Sequence, residues 1–418
     1  MDSRPIPLDA HLAAFAREGH RLAWMLRHPD PTRGTVHTPR EIAQQPWLWR
    51  HTARQLAEAA PALRAFLDRA GLVDPDGRTT LALTGAGTSD YVGVSVAGAL
   101  QQRLGLPVDH WPTTRVTVEP DAFWLPGRRY VMVHVARSGN SPESVAVLDA
   151  GLALHPDSVR HVVVTCNPDG SLAERARQHP DRVFLLVLHE ACNDRGLAMT
   201  SSFTSMAVAA LGVGHLDDPA PYVDLVDRLA EAGDVALARF SDVLFEAASP
   251  GLTRAFFLGN GGLLGAAIES ALKLQELTTG RIMAKGEDTL AFRHGPISAV
   301  DATTLVGFFL SADPAVRRYE VDVVDQFRDA FAELGTRILV VGAGLPDGLE
   351  GPGLDRLDVD PEGRFAIPAG YEAPVAVLVG QMLGLFASHR HGLNVDDPSV
   401  DKALYSRTVQ GVRIYDAA

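Results

Sequence analysis

Two polar, glycine-containing turns in this sequence have the composition of a phosphate-binding site. The first, GAGTS (85–89), ends the apolar run LALTGAG (81–87), and the second, ARSGNSPE (136–143), ends the run YVMVHVA (130–136). Glycine allows the backbone to approach a ligand closely, while hydroxyl side chains and the N–H groups of a following helix bind phosphate oxygens. Either turn alone is also an ordinary helix start. The two turns together predict a cradle for one small phosphate.

Neither turn matches the glycine motifs that bind nucleotides. No Gly-Lys-Ser or Gly-Lys-Thr sequence follows either turn, and the sixth position of the first turn is Asp90, where the dinucleotide fingerprint has glycine. The sequence also has no spaced Cys and His residues of the kind that bind zinc, and no GxSxG elbow of a hydrolase. We therefore expect no cofactor and no metal.

A third group of candidate residues lies in one predicted helix. Glu269, Lys273 and Glu276 are spaced i, i+4 and i+7, which places them on one helix face. Such a face is either a solvated stripe of salt bridges or a set of acid–base groups. His294, in the turn FRHGP (292–296), is either a satisfied loop residue or an acid–base residue. Spacing alone does not decide between these alternatives.

Alternating strands and helices position these residues in a predicted α/β fold. The apolar runs LALTGAG, YVMVHVA, HVVVT (161–165) and VFLLVL (183–188) are typical of parallel strands that are covered on both faces. Helical patterns lie between the runs, which predicts βαβ units.

The strand pattern returns in the second half of the chain. Gly85 has a counterpart in Gly259 and Val131 in Leu305, both 174 residues later. The third run, from 161, returns 176 residues later. We infer two copies of one domain, each a parallel-sheet three-layer α/β/α sandwich.

Four parts make up the predicted organisation. They are an N-terminal helical arm (1–76), a first α/β domain (77–216), a helical connector (217–249) and a second α/β domain with a C-terminal tail (250–418). Within the arm, Thr38 is expected to be the N-cap of a helix, with Pro39 at its first position and Glu41 completing a capping box.

The composition is that of a globular protein. The 418 residues are 46% hydrophobic, which excludes a disordered chain, and the net charge of −13 argues against nucleic-acid and anionic-membrane partners. With Cys166 and Cys192 as the only cysteines, a disulfide-stapled module is excluded and a reducing compartment is indicated. The most apolar stretch (375–387) is too short for a membrane span and predicts a buried helix, and no apolar signal segment is seen near residue 1. We therefore expect a cytoplasmic protein.

Taken together, these motifs resemble the sugar isomerase (SIS) domain family, with two SIS domains in tandem from about residue 40 onward. The GTS and RSGNSPES turns are typical of SIS domains in general. Further stretches are similar to one group, the tagatose-6-phosphate ketose/aldose isomerases, now regarded as galactosamine-6-phosphate deaminases. These stretches are TCNPDGSLA (165–173), NDRGLAMTSSFT (193–204), ESALKLQELTTG (269–280), RHGP (293–296) and VDDPS…RTVQGV (395–412).

The resemblance implies an enzyme that converts a hexosamine 6-phosphate, foremost galactosamine 6-phosphate, to a ketose 6-phosphate and ammonia. By motif position, and with the isomerase domain of glucosamine-6-phosphate synthase as a guide, Glu276 is the base that moves a proton between C1 and C2. His294 assists ring opening from the other subunit of a homodimer with shared active sites, and Lys273 and Glu269 support the base or contact the sugar. The implied substrate-binding residues are completed by Gly87, Thr88, Ser89, Arg137, Ser138, Asn140, Ser141 and Arg407.

The sequence departs from the family pattern at three points. Ala136 stands where the SRSGNS turn has serine, which removes one hydroxyl from the predicted cradle. A ring-opening lysine in the tail of the synthase has no clear counterpart, since Arg407 lies nearest in the motif and Lys402 lies five residues earlier. The synthase also needs an N-terminal glutaminase domain with a cysteine nucleophile, and no cysteine precedes Cys166. We therefore expect no glutamine-dependent synthase reaction.

Three alternatives share these residues. They are an aldose–ketose phosphate isomerase that releases no nitrogen, a fructosamine-phosphate deglycase, and a non-catalytic sugar-phosphate sensor. The chemistry of Glu276 serves both enzymes equally. A sensor is expected to lack the base and acid, whereas Glu276 and His294 are both present. The motifs do not specify the configuration of the sugar at C4.

Overall fold

The computed structural model describes residues 6–69, 77–399 and 412–415. The helices are α1 (Leu8–Phe15), α2 (Arg21–Arg27), α3 (Thr38–Ala43), α4 (Gln45–Arg69), α5 (Thr88–Leu104), α6 (Thr113–Val118), α7 (Pro142–Leu154), α8 (Ser171–Gln178), α9 (Ser201–Gly212), α10 (Ala220–Ala247), α11 (Gly262–Thr278), α12 (Pro314–Leu334) and α13 (Ala373–Arg390). The strands are β1 (Thr79–Gly85), β2 (Val108–Pro112), β3 (Arg129–Ala136), β4 (Val159–Thr165), β5 (Val183–Val187), β6 (Arg254–Leu258), β7 (Met283–Glu287), β8 (Thr304–Phe309), β9 (Arg337–Gly342) and β10 (Leu354–Asp358).

The strands form two five-stranded sheets in which every pairing is parallel. The four apolar runs of the first half are β1, β3, β4 and β5, and β1 is buried along its whole length. A helix lies between consecutive strands of the first sheet, as is usual for parallel connections, whereas the segment that joins β9 to β10 contains none. The predicted α/β class is confirmed, and so is the helical character of the N-terminal arm, which contains α1 to α4.

Both sheets have the same strand order. It is β2-β1-β3-β4-β5 in the first sheet and β7-β6-β8-β9-β10 in the second. In this order the chain direction across the sheet reverses next to the first strand, which creates a crevice at the carboxyl ends of the central strands. Each sheet therefore has one such crevice, between β1 and β3 and between β6 and β8.

The 174-residue offset extends to single backbone angles. Helices α5 and α11 each contain 17 residues and begin 174 positions apart. The residue before each helix is a glycine with nearly the same conformation: Gly87 has φ 56° and ψ −127°, and Gly261 has φ 55° and ψ −129°. Residues that carry a side chain rarely adopt these backbone angles, so both positions favour glycine for the same reason.

The chain divides into two compact units. One contains the described residues up to Arg50, Asp194–Ser201 and those from Asp227 to 399, and it holds the sheet β6 to β10. The other contains His51–Asn193 and Ser202–Val226 and holds the sheet β1 to β5. No motif predicted that segments so distant in sequence belong to one unit, and the domain limits expected at 76, 216 and 249 stay a prediction.

Helix α13 is the buried helix predicted at 375–387. Every residue from Ala373 to Ser388 is buried, including the amide of Gln381, which accepts a hydrogen bond from Gln45 at 2.6 Å. No helix in the described part of the chain is both long enough and apolar enough to cross a membrane.

The predicted capping box at the start of α3 is wrong. The N-cap is His37, and the carboxylate of Asp396 accepts hydrogen bonds from the backbone N–H groups of Val36, His37 and Thr38 at 2.9, 2.9 and 2.7 Å. A carboxylate from far along the chain thus neutralises the helix N-terminus more completely than the local threonine hydroxyl could.

Glu41, which was expected to complete the capping box, binds a different segment. Its buried carboxyl group accepts hydrogen bonds from the N–H groups of Arg195 and Gly196 at 2.5 and 3.2 Å. Burial, together with the nearby charge of Asp194, raises the pKa of Glu41 to about 8. A Cβ at Gly196 would lie 2.8 Å from the Thr38 hydroxyl oxygen, so the segment approaches the arm too closely for a side chain there. The NDRG and VDD motifs therefore hold the arm in place.

The Asp396 cap gives a stability prediction. Asp396→Ala removes the acceptor of three backbone donors and should lower the free energy of unfolding by about 1–3 kcal/mol. The matched control is Asp9→Ala in the same arm. Asp9 is 87% exposed and forms a surface ion pair with Arg40, so its loss should cost less than about 1 kcal/mol. Urea unfolding measures both, and an Asp396→Ala variant no less stable than Asp9→Ala would contradict this reading.

Candidate active site

The two predicted phosphate-binding turns lie side by side. Strands β1 and β3 are neighbours, and Thr84 pairs with His134, so both strands end at the same edge of the sheet. The turn 85–89 leaves β1 and the turn 137–141 leaves β3 at this edge. We call the space between these two turns the first crevice. It is the place where an open parallel sheet binds ligands.

The first turn is tightly wound and presents its hydroxyl residues at a helix N-terminus. A Cβ at Gly85 would lie 2.6 Å from the backbone of Ser89, so only glycine fits there. Thr88 and Ser89 are the first two residues of α5, and both are largely buried. The partial positive charge of the helix N-terminus favours an anion beside them.

The second turn is braced by the loop that follows β4. The carbonyl of Ser138 accepts a hydrogen bond from the Asn167 amide at 2.9 Å, and that of Gly139 accepts one from the Leu172 N–H at 3.0 Å. The side-chain oxygen of Asn140 accepts two from Ser171, from its N–H at 2.9 Å and its hydroxyl at 3.1 Å. This bracing holds the turn in one shape before any ligand binds.

Two further residues of the second turn, Ala136 and Arg137, are buried, whereas Ser141 is half-buried. Arg137 is buried, and the hydroxyl of Ser141 lies 3.0 Å from that of Ser144. Ala136 is the last residue of β3 and is buried. The stretch TCNPDGSLA contains this supporting loop and is similar to the group, but its role in bracing the second turn was not predicted.

The charged set on α11 is not a solvated stripe. Glu269 and Lys273 are both 0% exposed, and Glu276 is only 16% exposed. The Lys273 ammonium group donates to Glu276 and lies 3.4 Å from the nearer carboxylate oxygen of Glu269. Removing ionisable groups from water costs several kcal/mol of desolvation free energy. Such buried groups occur most often at functional sites. Of the two alternatives left by the spacing, the solvated stripe is thus wrong, and the acid–base role stays a prediction.

Helix α13 fixes the position of α11. A Cβ at Gly380 would lie 2.2 Å from the Cβ of Ser270, and one at Gly384 would lie 3.1 Å from the carbonyl oxygen of Lys273. These glycines let the two helix backbones come close together. Because α13 is itself buried, the carboxylate of Glu276 stands on a rigid support.

His294 lies on the surface of the same unit. It ends a short 3-10 turn, Ala291–His294, and is exposed, and Gly295 follows with φ 136°. Arg407 and Lys402, the two candidates for the tail role, lie outside the described residues. In the described part of the chain, no group of three or more His, Cys, Asp or Glu residues has the geometry to hold a metal ion.

Comparison with known proteins gives this arrangement a family. An AgaS protein of Streptomyces coelicolor is 38% identical over 388 residues, which cover 91% of this chain and 95% of the relative. The D-galactosamine-6-phosphate deaminase AgaS of Escherichia coli is 34% identical over 381 residues, which cover 90% and 95%. The chain belongs to the sugar isomerase (SIS) domain family, within its AgaS group. No protein-family model matches the chain.

A solved structure agrees with this membership of the SIS family. The tagatose-6-phosphate ketose/aldose isomerase of Escherichia coli superposes with a TM-score of 0.77 at 32% identity, over 87% of this chain and 95% of that one. The resemblance expected from the motifs is confirmed, and the SIS fold accounts for both parallel sheets.

The bracing of the second turn gives a binding prediction. A Cβ at Gly170 would lie 2.4 Å from the carbonyl oxygen of Ser138, so Gly170→Ala must displace this turn. We expect the affinity for inorganic phosphate, measured by calorimetry, to fall about tenfold or more. Gly98→Ala in α5 is the control, because nothing lies within 4 Å of a Cβ at that position. Equal affinity of the two variants would show that the turn does not bind phosphate.

Proposed function

We propose that this chain converts a hexosamine 6-phosphate, foremost galactosamine 6-phosphate, to a ketose 6-phosphate and ammonia. The observation that carries the proposal is the buried set of Glu269, Lys273 and Glu276, in a chain whose relatives include D-galactosamine-6-phosphate deaminase AgaS. A carboxylate held by a buried ammonium group, yet partly open to solvent, has the form expected of a proton-transfer base.

The first crevice binds the phosphate in this proposal. The hydroxyl groups of Thr88, Ser89, Ser138 and Ser141 and the N–H groups at the start of α5 surround the anion, and Gly87 brings the backbone close to it. Arg137 supplies positive charge, and the side-chain NH2 group of Asn140 is the remaining candidate contact. Support comes from the common sheet edge, which places both turns on either side of one crevice.

Glu276 performs the central step in this proposal. The sugar ring first opens to expose the C1 aldehyde, with acid–base help from His294. Glu276 then removes the C2 proton, and the electrons of that C–H bond form the C1–C2 double bond of an enolamine as the aldehyde oxygen takes up a proton. Return of a proton to C1, with loss of a proton from nitrogen, gives a ketimine at C2, and water adds to it and releases ammonia, which leaves the ketose. Lys273 keeps the Glu276 carboxylate in place through its hydrogen bond.

The assembly and the setting are proposed as well. We propose a homodimer in which His294 serves the site of the partner subunit, and the exposure of His294 is what supports this. The shared strand order and the offset of 174 support a tandem repeat of one domain. Because water is consumed, the reaction is a hydrolytic deamination, and we propose the cytoplasm as its place.

A second candidate function is isomerisation without nitrogen loss. It is favoured by the likeness to the tagatose-6-phosphate ketose/aldose isomerase structure. The same base would move a proton between C1 and C2 of an aldose or a ketose phosphate. Ammonia release separates the two functions. Galactosamine 6-phosphate should yield ammonia in proportion to ketose formed and faster than glucosamine 6-phosphate, whereas a plain isomerase would interconvert tagatose 6-phosphate with its aldose and release no ammonia from either amino sugar.

The role of Glu276 is tested in the same assay. Glu276→Gln keeps the size of the side chain but removes the base, so kcat should fall by about 10²–10⁴ while the dissociation constant for galactosamine 6-phosphate stays nearly unchanged. Glu333→Gln, at an exposed position of α12, is the control and should leave kcat unaltered. Near-native turnover by Glu276→Gln would remove Glu276 from the mechanism.

A further inference from the structure

The second sheet has a crevice built like the first. Leu258 of β6 pairs with Phe308 of β8, the same register that Thr84 and His134 show 174 residues earlier. The turn 259–262 leaves β6 and the turn 310–313 leaves β8 at one edge of the sheet. We call the space between these two turns the second crevice.

The second crevice lacks the hydroxyl groups of the first. All four predicted phosphate hydroxyls are replaced by residues that offer no side-chain donor. The residues 174 positions after Thr88, Ser89, Ser138 and Ser141 are Gly262, Leu263, Ala312 and Ala315.

A carboxylate of the chain itself binds both turns of the second crevice. Glu320 of α12 is 0% exposed. One of its oxygens accepts a hydrogen bond from the side-chain amide of Asn260, in the turn after β6, at 2.7 Å. The other accepts one from the N–H of Ser311, in the turn after β8, at 2.7 Å. The carboxylate thus bridges the two turns that an anion in the first crevice would have to bridge.

We propose that the second crevice is an anion-binding site permanently occupied by Glu320, so that each chain takes only one sugar phosphate. The count of one sugar phosphate per chain rests on the proposed function, whereas the occupancy of the second crevice by Glu320 does not. When Glu320 is removed, the second crevice should bind a small carboxylate such as formate or acetate, because its donors match the two oxygens of the Glu320 carboxylate.

The turn after β8 is held in place by groups other than Glu320. The carboxylate of Glu372 accepts from the N–H of Ala312 at 2.7 Å. The guanidinium group of Arg317 donates to the carbonyl oxygens of Ser311, Ala343 and Gly344 at 2.5, 2.9 and 2.7 Å. Donors fixed in this way keep their direction when the acceptor is removed, so the site should outlast the loss of Glu320.

Among the described residues, α7 has no carboxylate at the stretch that corresponds to Glu320. Helix α7 follows β3 as α12 follows β8, and its residues at 145–148 are Val, Ala, Val and Leu. The carboxylate at 320 and the replacement of the four hydroxyl residues are thus the differences that separate the second crevice from the first.

Chemical rescue tests the occupancy of the second crevice. Glu320→Ala should lower the melting temperature, and formate or acetate should restore it in a saturable manner at constant ionic strength. Glu320→Gln fills the same space and Glu333→Ala lies exposed on the same helix, so neither should respond to formate beyond the wild type. A Glu320→Ala variant that formate stabilises no more than it stabilises these controls would overturn the proposal.

Binding stoichiometry tests the same proposal without any change at Glu320. Calorimetry with galactosamine 6-phosphate is done on Glu276→Gln, which should turn the compound over too slowly to disturb the titration, and it should give one equivalent per chain and none when Ser138→Ala and Ser141→Ala are added as a double variant. A second equivalent that survives the double variant would overturn the proposal even if Glu320→Ala does not fold. If Glu276→Gln binds no sugar phosphate at all, the proposed function fails, while the formate rescue still decides the role of Glu320.

Discussion

Adjacent parallel strands that run in the same direction must end at the same edge of a sheet, and the chemistry of this protein depends on that constraint. It brings the turn after β1 next to the turn after β3, although Gly85 and Arg137 lie 52 positions apart in the sequence. In the proposed function, N–H groups and hydroxyls of both turns bind one anion in this crevice. The two glycines of the first turn and the brace from the loop after β4 serve to keep this edge in one shape.

The second sheet shows what the same constraint produces when the ligand is internal. Its donors converge in the same way, and leaving them unpaired in a buried crevice would be costly. Glu320 satisfies them from within the chain. The convergence of donors comes from the fold, and the proposed binding of substrate in the first crevice depends in addition on its hydroxyl residues.

The charged set on α11 follows a different logic. Lys273 and Glu269 are fully buried, and a helix that carried them at its surface would be more easily stabilised. The close approach of α13 through Gly380 and Gly384 provides the rigid packing that keeps these charges together. Burying these charges lowers the stability of the fold. Because Lys273 binds the partly exposed carboxylate of Glu276, the proposed function assigns these residues to proton transfer.

Much of this was within reach of the sequence, and the exceptions share a cause. The buried strands, both polar turns and α13 were predicted because each has a local pattern of apolar residues or glycines. The capping box failed because Asp396, 358 positions from Thr38, provides the cap instead. Glu320 carried no signal because a single glutamate in an amphipathic helix looks like any surface residue. The alternatives for the α11 stripe stayed open because spacing fixes which residues share a face and leaves open what covers that face.

The most direct measurement is a crystal structure of the Glu276→Gln variant with galactosamine 6-phosphate, read for the position of the phosphorus atom. The account predicts that the phosphate lies in the first crevice, within hydrogen-bond distance of the hydroxyls of Thr88, Ser89, Ser138 and Ser141, with Glu320 still in place in the second crevice. A phosphate bound away from these two turns, or one that displaces Glu320, would contradict it.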